Sequence, residues 1–206
     1  MITIVDGGLS NLGSVTNMLK HIGVDCRVTS DPDEVRAADR LILPGVGAFD
    51  NGMKSLQERG LIDALNTAVL DSSTPVLGIC LGMQLLTEGS DEGNRPGLGW
   101  IKGRAVKFDL GNNPQRLRIP HMGWSELNIP RPGRLFPDVE EQSRFYFVHS
   151  YHVQCEDSQD VAGTTWHGIN VTAAVERGNI FGAQFHPEKS HRFGMRVLKT
   201  FAEVSR

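Results

Sequence analysis

The sequence predicts an α/β fold: an open, mostly parallel sheet flanked by helices, with an antiparallel portion added late in the chain. In the first half, short apolar segments alternate with segments whose apolar residues recur at helical spacing, and short links join them. Such alternation is typical of parallel strands with helices on both faces. After residue 88, glycine, asparagine and proline become frequent, and short segments rich in β-branched or aromatic residues favour hairpins.

The first half supports four strands and the helices between them. The strands are predicted over residues 2–5, 26–29, 40–45 and 75–79. Two helices are predicted from the apolar stripes Leu12/Val15/Leu19/Ile22 and Phe49/Met53/Leu56. The stripe Leu61/Leu65/Val69 predicts either a continuation of the second helix or a neighbouring helix. A further helix is predicted over about residues 82–88. Asp31, Pro32 and Glu34 predict a helix start with an N-cap, a proline in the first turn and a capping box.

The second half reads as strands that end in a closing helix. Strands are predicted over residues 104–108, 145–153, 170–176 and 180–185. The spacing of Phe193, Val197 and Phe201 predicts a helix over residues 190–205. With 206 residues and 39% hydrophobic composition, we expect one domain spanning residues 1–206.

Composition excludes several classes of function. The net charge is −3 and the charged residues form no long run, so we expect neither a nucleic-acid partner nor a membrane partner. The three cysteines are far apart and form no C-x-x-C pair, which favours a reducing compartment over a disulfide framework or a zinc site. The N-terminus lacks the pattern of a signal peptide. We therefore expect a cytoplasmic protein with small-molecule or protein partners.

Cys80 lies between Gly78 and Gly82, with a predicted strand before it and a predicted helix after it. This pattern is typical of a nucleophile elbow, a tight strand-to-helix turn that exposes the nucleophile. Side chains at the two glycine positions would collide with neighbouring elements. The positive end of the helix dipole favours a thiolate. The alternative is a buried cysteine that packs as a small hydrophobic residue, but the flanking pattern favours the nucleophile.

The base must come from one of seven histidines. His186 is favoured because Glu188 follows two residues later, where alternate side chains of a strand share a face and a carboxylate can orient the ring. Cys80, His186 and Glu188 then supply the nucleophile, base and orienting group of covalent acyl transfer. The alternative is a strand that ends in a proline turn with solvated polar residues. We expect His149 and His152 on opposite faces of one strand, as lining or structural residues.

An oxyanion hole requires two backbone donors. The elbow geometry makes the N–H of Leu81 one donor, and Val46 or Gly47 could supply the other from the stretch "PGVGAF". Both stretches follow strands at their carboxyl ends, where ligand crevices lie in open α/β sheets. The alternative for "PGVG" is an ordinary glycine-rich turn.

These stretches resemble those of the triad (class I) glutamine amidotransferases along the whole chain. "GICLGMQLL" and "FHPE" indicate that superfamily. "PGVGAF", "PHMGWS", "FYFVHSYHV" and "QFHPEKSH" are similar to the glutaminase subunits of imidazole glycerol phosphate synthases, which serve histidine biosynthesis. Gly7 and Ser125 depart from the larger residue and the asparagine that are usual there, and neither belongs to the predicted triad.

The resemblance implies a mechanism that uses no cofactor and no metal. Cys80 would attack the side-chain amide of L-glutamine, ammonia would leave after protonation by His186, and water would hydrolyse the thioester to glutamate. Further residues are implied to contact the substrate, namely Gln84, Glu92 and the backbone of Ser150 and Tyr151. Asp91, adjacent to Glu92, weakens that match.

The resemblance also implies a partner: a (β/α)₈-barrel cyclase subunit that receives the ammonia. Residues implied to face it are Asn11, Trp124, Tyr146 and Lys189. Core packing is the alternative for the two aromatic residues, and a solvated charge is the alternative for the lysine. Two other functions stay open: a stand-alone cysteine hydrolase of γ-glutamyl or peptide bonds, and a non-catalytic binding module of the same fold.

Overall fold

A computed structural model describes residues 1–8, 11–111, 115–137 and 143–205. The strands in these residues are β1 (Ile2–Val5), β2 (Cys26–Thr29), β3 (Leu41–Gly45), β4 (Val76–Cys80), β5 (Thr87–Ser90), β6 (Ile101–Lys107), β7 (His121–Glu126), β8 (Arg144–His149), β9 (Tyr151–Cys155), β10 (Val161–Trp166), β11 (Asn170–Arg177) and β12 (Ile180–Ala183). The α-helices are α1 (Leu12–His21), α2 (Pro32–Arg36), α3 (Phe49–Glu58), α4 (Leu61–Asn66), α5 (Leu81–Leu85) and α6 (His191–Glu203). A π-helical turn (Thr67–Asp71) and two 3₁₀ turns (Ser158–Asp160 and Pro187–Lys189) complete the described elements.

One large sheet organises the described residues. Its strand order is β2-β1-β3-β4-β12-β11-β9-β6-β5, and β10 pairs with β11 outside this path. The run from β2 to β12 is parallel, whereas β11 pairs antiparallel with β12, β10 and β9. β7 and β8 form a separate antiparallel pair. The predicted fold class, an open mostly parallel α/β sheet with an added antiparallel portion, is confirmed.

The inner strands of the parallel run, β1, β3, β4 and β12, bury both faces, whereas the edge strand β2 leaves Val28 exposed. Ile2 and Ile4 pack with α1 and α6 on one face, and neighbouring side chains such as Leu41 and Leu43 pack with α3 and α4 on the other. This alternation follows from the two-residue period of a strand. It explains why these strands are apolar throughout and follow no polar and apolar alternation. None of the helices among the described residues is long and apolar enough to cross a membrane.

Two predicted elements are wrong in their extent. The helix predicted over residues 82–88 ends at Leu85, because the following residues pair with β6 as strand β5. The single strand predicted over residues 145–153 is two strands, since β8 pairs with β7 and β9 pairs with β6, with a break at Ser150. His149 and His152 therefore do not lie on opposite faces of one strand: both rings contact Phe108.

Smaller differences concern a helix start and two strands. Asp31 caps α2 by accepting from the N–H of Asp33, but Glu34 does not close a capping box and instead pairs with Arg27. The sequence patterns did not predict β7 or β10. β7 exposes the apolar side chains of Met122 and Trp124, and β10 exposes that of Trp166, so neither strand shows the usual alternation of buried apolar and exposed polar residues.

Candidate active site

Cys80 sits on a strained turn between β4 and α5. Its φ and ψ angles are 54° and −110°, a conformation that is rare for a residue with a side chain. A Cβ atom at Gly78 would lie 2.6 Å from the carbonyl oxygen of Gly82, and one at Gly82 would lie 1.8 Å from that of Leu43. Both distances are too short for a real contact, so the turn requires both glycines, as the elbow pattern predicts.

The sulfur of Cys80 lies against a cleft of about 530 Å³. Cys80 is only 8% exposed. Its thiol lies 4.0 Å from the carbonyl oxygen of Val148, and the amide nitrogen of Gln184 lies 3.9 Å from the sulfur. The sulfur is therefore held by polar neighbours at the cleft wall and is not enclosed in the apolar core.

His186 lines the same cleft and is oriented from behind by Glu188. Its Nδ1 lies 2.7 Å from Oε1 of Glu188, and both side chains are about 95% buried, with 4% and 5% exposed. A carboxylate only accepts, so Nδ1 carries the proton of this bond. Nε2 makes no well-aligned hydrogen bond among the described residues. Burial opposes the charged ring, but the Cys80 and Glu188 side chains outweigh it and raise the pKa of His186 to about 9.

The backbone around His186 is fixed to β8. Its N–H donates to the carbonyl of Tyr146 at 2.9 Å. The buried hydroxyl of Ser190 donates to the carbonyl of His186 at 2.6 Å and accepts from the N–H of Tyr146 at 3.0 Å. Gly194 of α6 approaches this turn so closely that a Cβ there would lie 1.8 Å from the carbonyl oxygen of Pro187. The position of the ring thus depends on both β8 and α6.

The residues predicted to contact substrate converge on the cleft. The lining residues include Val46, Gly47, Cys80, Leu81, Gln84, Glu92, Ser150, Tyr151 and His186. Gln84 is 5% exposed, and its amide nitrogen donates to the carbonyl of Tyr151 and to Oε1 of Gln184 at 3.1 and 3.0 Å. Its own Oε1 accepts from no described residue, so that atom is available to a ligand.

Glu92 is held at the rim of the cleft by α3. Its Oε2 accepts from the N–H of Phe49 at 2.9 Å. The carboxylate of Asp50 accepts from the N–H groups of Asn94 and Arg95 and so fixes the loop that carries Glu92. The adjacent Asp91 instead pairs with Arg104. Glu92 is therefore the acidic residue of the two that reaches the cleft.

The stretch "PGVGAF" meets the elbow through sheet pairing. Gly45 is opposite Cys80 in the parallel register of β3 and β4. A Cβ at Gly45 would lie 2.9 Å from the backbone nitrogen of Gly82, so the two turns touch. Val46 and Gly47 follow at the mouth of the cleft and are exposed.

Three of the predicted partner-facing residues form one surface. The Trp124 and Tyr146 rings lie 6.1 Å apart at a steep angle, and the Lys189 ammonium lies 5.7 Å from the Tyr146 ring. Trp124 is 46% exposed and stacks on His191 at 5.3 Å. Core packing is therefore wrong for Trp124. Asn11 is exposed at the N-cap of α1, and none of the described hydrogen bonds or ring contacts joins it to this surface.

Three polar residues at the site were not predicted from the sequence. Gln184 contacts both Gln84 and Cys80, Ser190 joins His186 to Tyr146, and His121 hydrogen-bonds to His149. Each is a buried polar residue inside or beside a strand. A polar side chain inside an apolar segment, such as Gln184 in "IFGAQF", is the sequence feature that could have predicted them.

Comparison with known proteins agrees with this geometry. The family model described as "Glutamine amidotransferase class-I" matches residues 3–204. The chain belongs to the class I glutamine amidotransferase family. This amidotransferase is 51% identical over 98% of both chains to the imidazole glycerol phosphate synthase subunit HisH 2 of Methanococcus maripaludis. It is 45% identical to the subunit of the same name from Pseudomonas aeruginosa, with 99% and 100% of the two chains covered. The resemblance drawn from the motifs is confirmed.

Solved structures give the same fold for this amidotransferase. A solved glutamine amidotransferase superimposes with a TM-score of 0.75 at 19% identity, covering 99% of this chain and 100% of the other. PurLQS from Thermotoga maritima also gives 0.75 at 19% identity, covering 98% and 97%. At these identities the likeness establishes the fold alone.

Proposed function

We propose that this amidotransferase is the glutaminase subunit of an imidazole glycerol phosphate synthase and hydrolyses L-glutamine to glutamate and ammonia in histidine biosynthesis. Its relatives with that name are 41 to 51% identical over nearly the whole chain. One observation of this structure carries the proposal. Cys80, on a strained turn, lines the same cleft as His186, whose ring is oriented by Glu188.

The chemistry uses Cys80 as the nucleophile. Its sulfur attacks the side-chain carbonyl carbon of glutamine, and the carbonyl oxygen becomes an oxyanion next to the N–H of Leu81 and the Val46–Gly47 stretch. When the intermediate collapses, the C–N bond breaks and the charged His186 ring gives its Nε2 proton to the departing nitrogen. Ammonia leaves and a thioester remains.

His186 then acts as a base in the second half of the reaction. The neutral Nε2 takes a proton from water, and the resulting hydroxide attacks the thioester. The C–S bond breaks, the sulfur recovers the charge, and glutamate leaves. Glu188 keeps the ring orientation through both proton transfers by accepting from Nδ1.

Substrate recognition falls to the rest of the cleft. The free Oε1 of Gln84 accepts from the substrate, and the carboxylate of Glu92 pairs with its α-ammonium group. The backbone at Ser150 and Tyr151 closes the remaining side. No described group of three or more His, Cys, Asp or Glu residues has the arrangement of a metal site, and the steps above need none.

The partner is proposed to be the (β/α)₈-barrel cyclase subunit, which binds the surface of Trp124, Tyr146 and Lys189. Asn11 is proposed to face the same subunit. The two subunits form a heterodimer that passes ammonia directly to the synthase reaction, a lyase step, in the cytoplasm. We also propose that residues 1–206 work as one domain, because both apolar clusters pack on the two faces of one sheet.

The test measures glutamate release by the chain alone and with its synthase partner. We expect weak release alone and strong release in the mixture. Cys80→Ala should abolish it, and Cys26→Ala, which alters a half-buried thiol that does not line the cleft, should not. Undiminished release by Cys80→Ala would disprove the mechanism. Release from γ-glutamyl peptides without a partner would favour the stand-alone hydrolase.

A further inference from the structure

Histidines outside the triad gather around Phe108, and one of them, His149, lines the cleft. The rings of His121, His149, His152 and His167 lie 5.0 to 6.4 Å from the Phe108 ring. The described residues offer no arrangement of such groups that could hold a metal ion. Hydrogen bonding therefore has to explain why two of these rings meet nitrogen to nitrogen.

Protons in this cluster can be assigned by following donors and acceptors. His149 Nδ1 lies 2.8 Å from the carbonyl oxygen of Tyr151, which only accepts, so Nδ1 carries the proton. Burial lowers the pKa of His149 to about 3 and that of His121 to about 4, so both rings are neutral at pH 7. A neutral ring carries one proton, so His149 Nε2 is an acceptor.

The remaining bonds then have one possible direction. His121 Nδ1, at 3.0 Å, donates to His149 Nε2. Having used its single proton, His121 accepts at Nε2 from the hydroxyl of Ser125, at 2.8 Å. Each proton points the same way, from Ser125 on β7 through two rings to the carbonyl of Tyr151. Such an aligned chain strengthens each of its bonds.

The carbonyl of Tyr151 connects this chain to the active site. It accepts from His149 and from the amide nitrogen of Gln84, which fills both lone pairs of the oxygen. Gln84 in turn donates to Gln184, whose amide nitrogen lies 3.9 Å from the sulfur of Cys80. A continuous polar path therefore runs from β7 to the nucleophile.

The hydrogen-bond chain acts on the backbone where one sheet ends and the other begins. At Ser150 the polypeptide leaves the β7–β8 pair and enters the main sheet as β9. The carbonyl of Ser150 accepts from the N–H of Phe108 at 3.2 Å, and the next carbonyl is fixed by His149. Ser150 and Tyr151 both line the cleft.

We propose that Ser125, His121 and His149 are positioning residues for the glutaminase reaction: their hydrogen-bond chain fixes the Tyr151 carbonyl and, through it, Gln84 in the orientation that receives glutamine. The inference rests on the proposed function for its kinetic consequence. The hydrogen-bond chain itself rests on the contacts above and on the neutral state of both rings, and not on the proposed function.

The kinetic test compares substitutions at His149 in the presence of the synthase partner. His149→Phe keeps the ring but removes the donor to Tyr151, and we expect KM for glutamine to rise about tenfold with a smaller change in kcat. His149→Asn places an amide donor near the position of Nδ1 and should restore most of the loss. His167→Phe is the matched control, since the His167 ring stacks on His121 but, within the described residues, hydrogen-bonds to the carbonyl of Arg118 and not to the Ser125–His121–His149 chain.

A merely structural role would give a different pattern. In that case both phenylalanine variants would lower the unfolding temperature and neither would change KM selectively. An unchanged KM in a folded His149→Phe variant would overturn the proposal, as would an equal rise in His167→Phe.

A second measurement is independent of activity. ¹⁵N chemical shifts of the ring nitrogens should show His149 and His121 neutral and protonated at Nδ1 at pH 7. Protonation of His149 at Nε2 would overturn the chain even with normal kinetics. If the wild-type protein and its partner release no glutamate, the proposed function fails. The ¹⁵N shifts still test whether the hydrogen-bond chain exists.

Discussion

Replacing Gly194 with alanine should damage catalysis without touching any residue of the triad. The added Cβ would lie 1.8 Å from the carbonyl oxygen of Pro187, whereas carbon and oxygen normally approach no closer than about 3.3 Å. The Pro187 turn or α6 must therefore move by about 1.5 Å. His186 and Glu188 flank Pro187, so their side chains move with it. A misplacement of about 1 Å at a catalytic group can lower the rate roughly 100-fold, and we expect kcat to fall by about that factor.

The assay is steady-state glutamate release with the partner present. Gly13→Ala is the matched control, because it makes the same change in helix α1 and its nearest neighbour, Oδ1 of Asn11, would lie at an ordinary 3.8 Å. Circular dichroism should show both variants folded. A folded Gly194→Ala variant with normal kcat would refute the reasoning that α6 fixes the catalytic turn.

Three other perturbations test the site. Because the folded pKa of His186, about 9, exceeds its ordinary value of 6.5, the charged ring stabilises the fold fully below pH 6.5 and this contribution is lost as the pH rises through 9. The free energy of unfolding, measured with urea, should therefore fall by about 3 kcal/mol over this pH range in the wild type but not in His186→Gln. An equal dependence of the free energy of unfolding on pH in both proteins would contradict this prediction. Asp50→Ala frees the loop of Glu92, so KM for glutamine should rise about tenfold, while Lys54→Ala on the same helix should leave KM unchanged. Trp124→Ala should weaken partner binding, measured by calorimetry, by about 30-fold or more, and Leu70→Ala, which truncates another exposed apolar side chain, should not.

The sequence predicts the local parts of this site well because their constraints are local. The elbow at Cys80 needs glycines two residues away on either side. The contact of His186 with Glu188 is also local, although it is made across the 3₁₀ turn that follows His186 and not along a strand, as the sequence analysis expected. Both constraints are visible in a short stretch. The strands β1, β3 and β4 are equally visible, since burial on both faces makes each a largely apolar run.

Contacts made by polar residues across elements were not predictable in the same way. Gln184, Ser190 and His121 each contact a residue distant in the chain, and nothing in their immediate neighbours indicates that partner. The break at Ser150 was missed for the same reason. The stretch 145–153 has a continuous strand pattern, and only its two different pairing partners divide it.

The placement of β12 is the step on which the whole site depends. Its sequence, "IFGAQF", fits a hairpin strand, and it does pair antiparallel with β11. Yet its other edge pairs parallel with β4, so that Ala183 is opposite Ile79, one residue before the nucleophile. The residues after Ala183 therefore leave the sheet at the same edge as Cys80, which brings His186 to the cleft. A strand placed at the outer edge of the antiparallel portion would have satisfied the same apolar pattern and left the cysteine without a base. Because the apolar pattern of β12 is the same in either position, the sequence predicted that His186 serves Cys80 but did not predict the strand position that brings the two together.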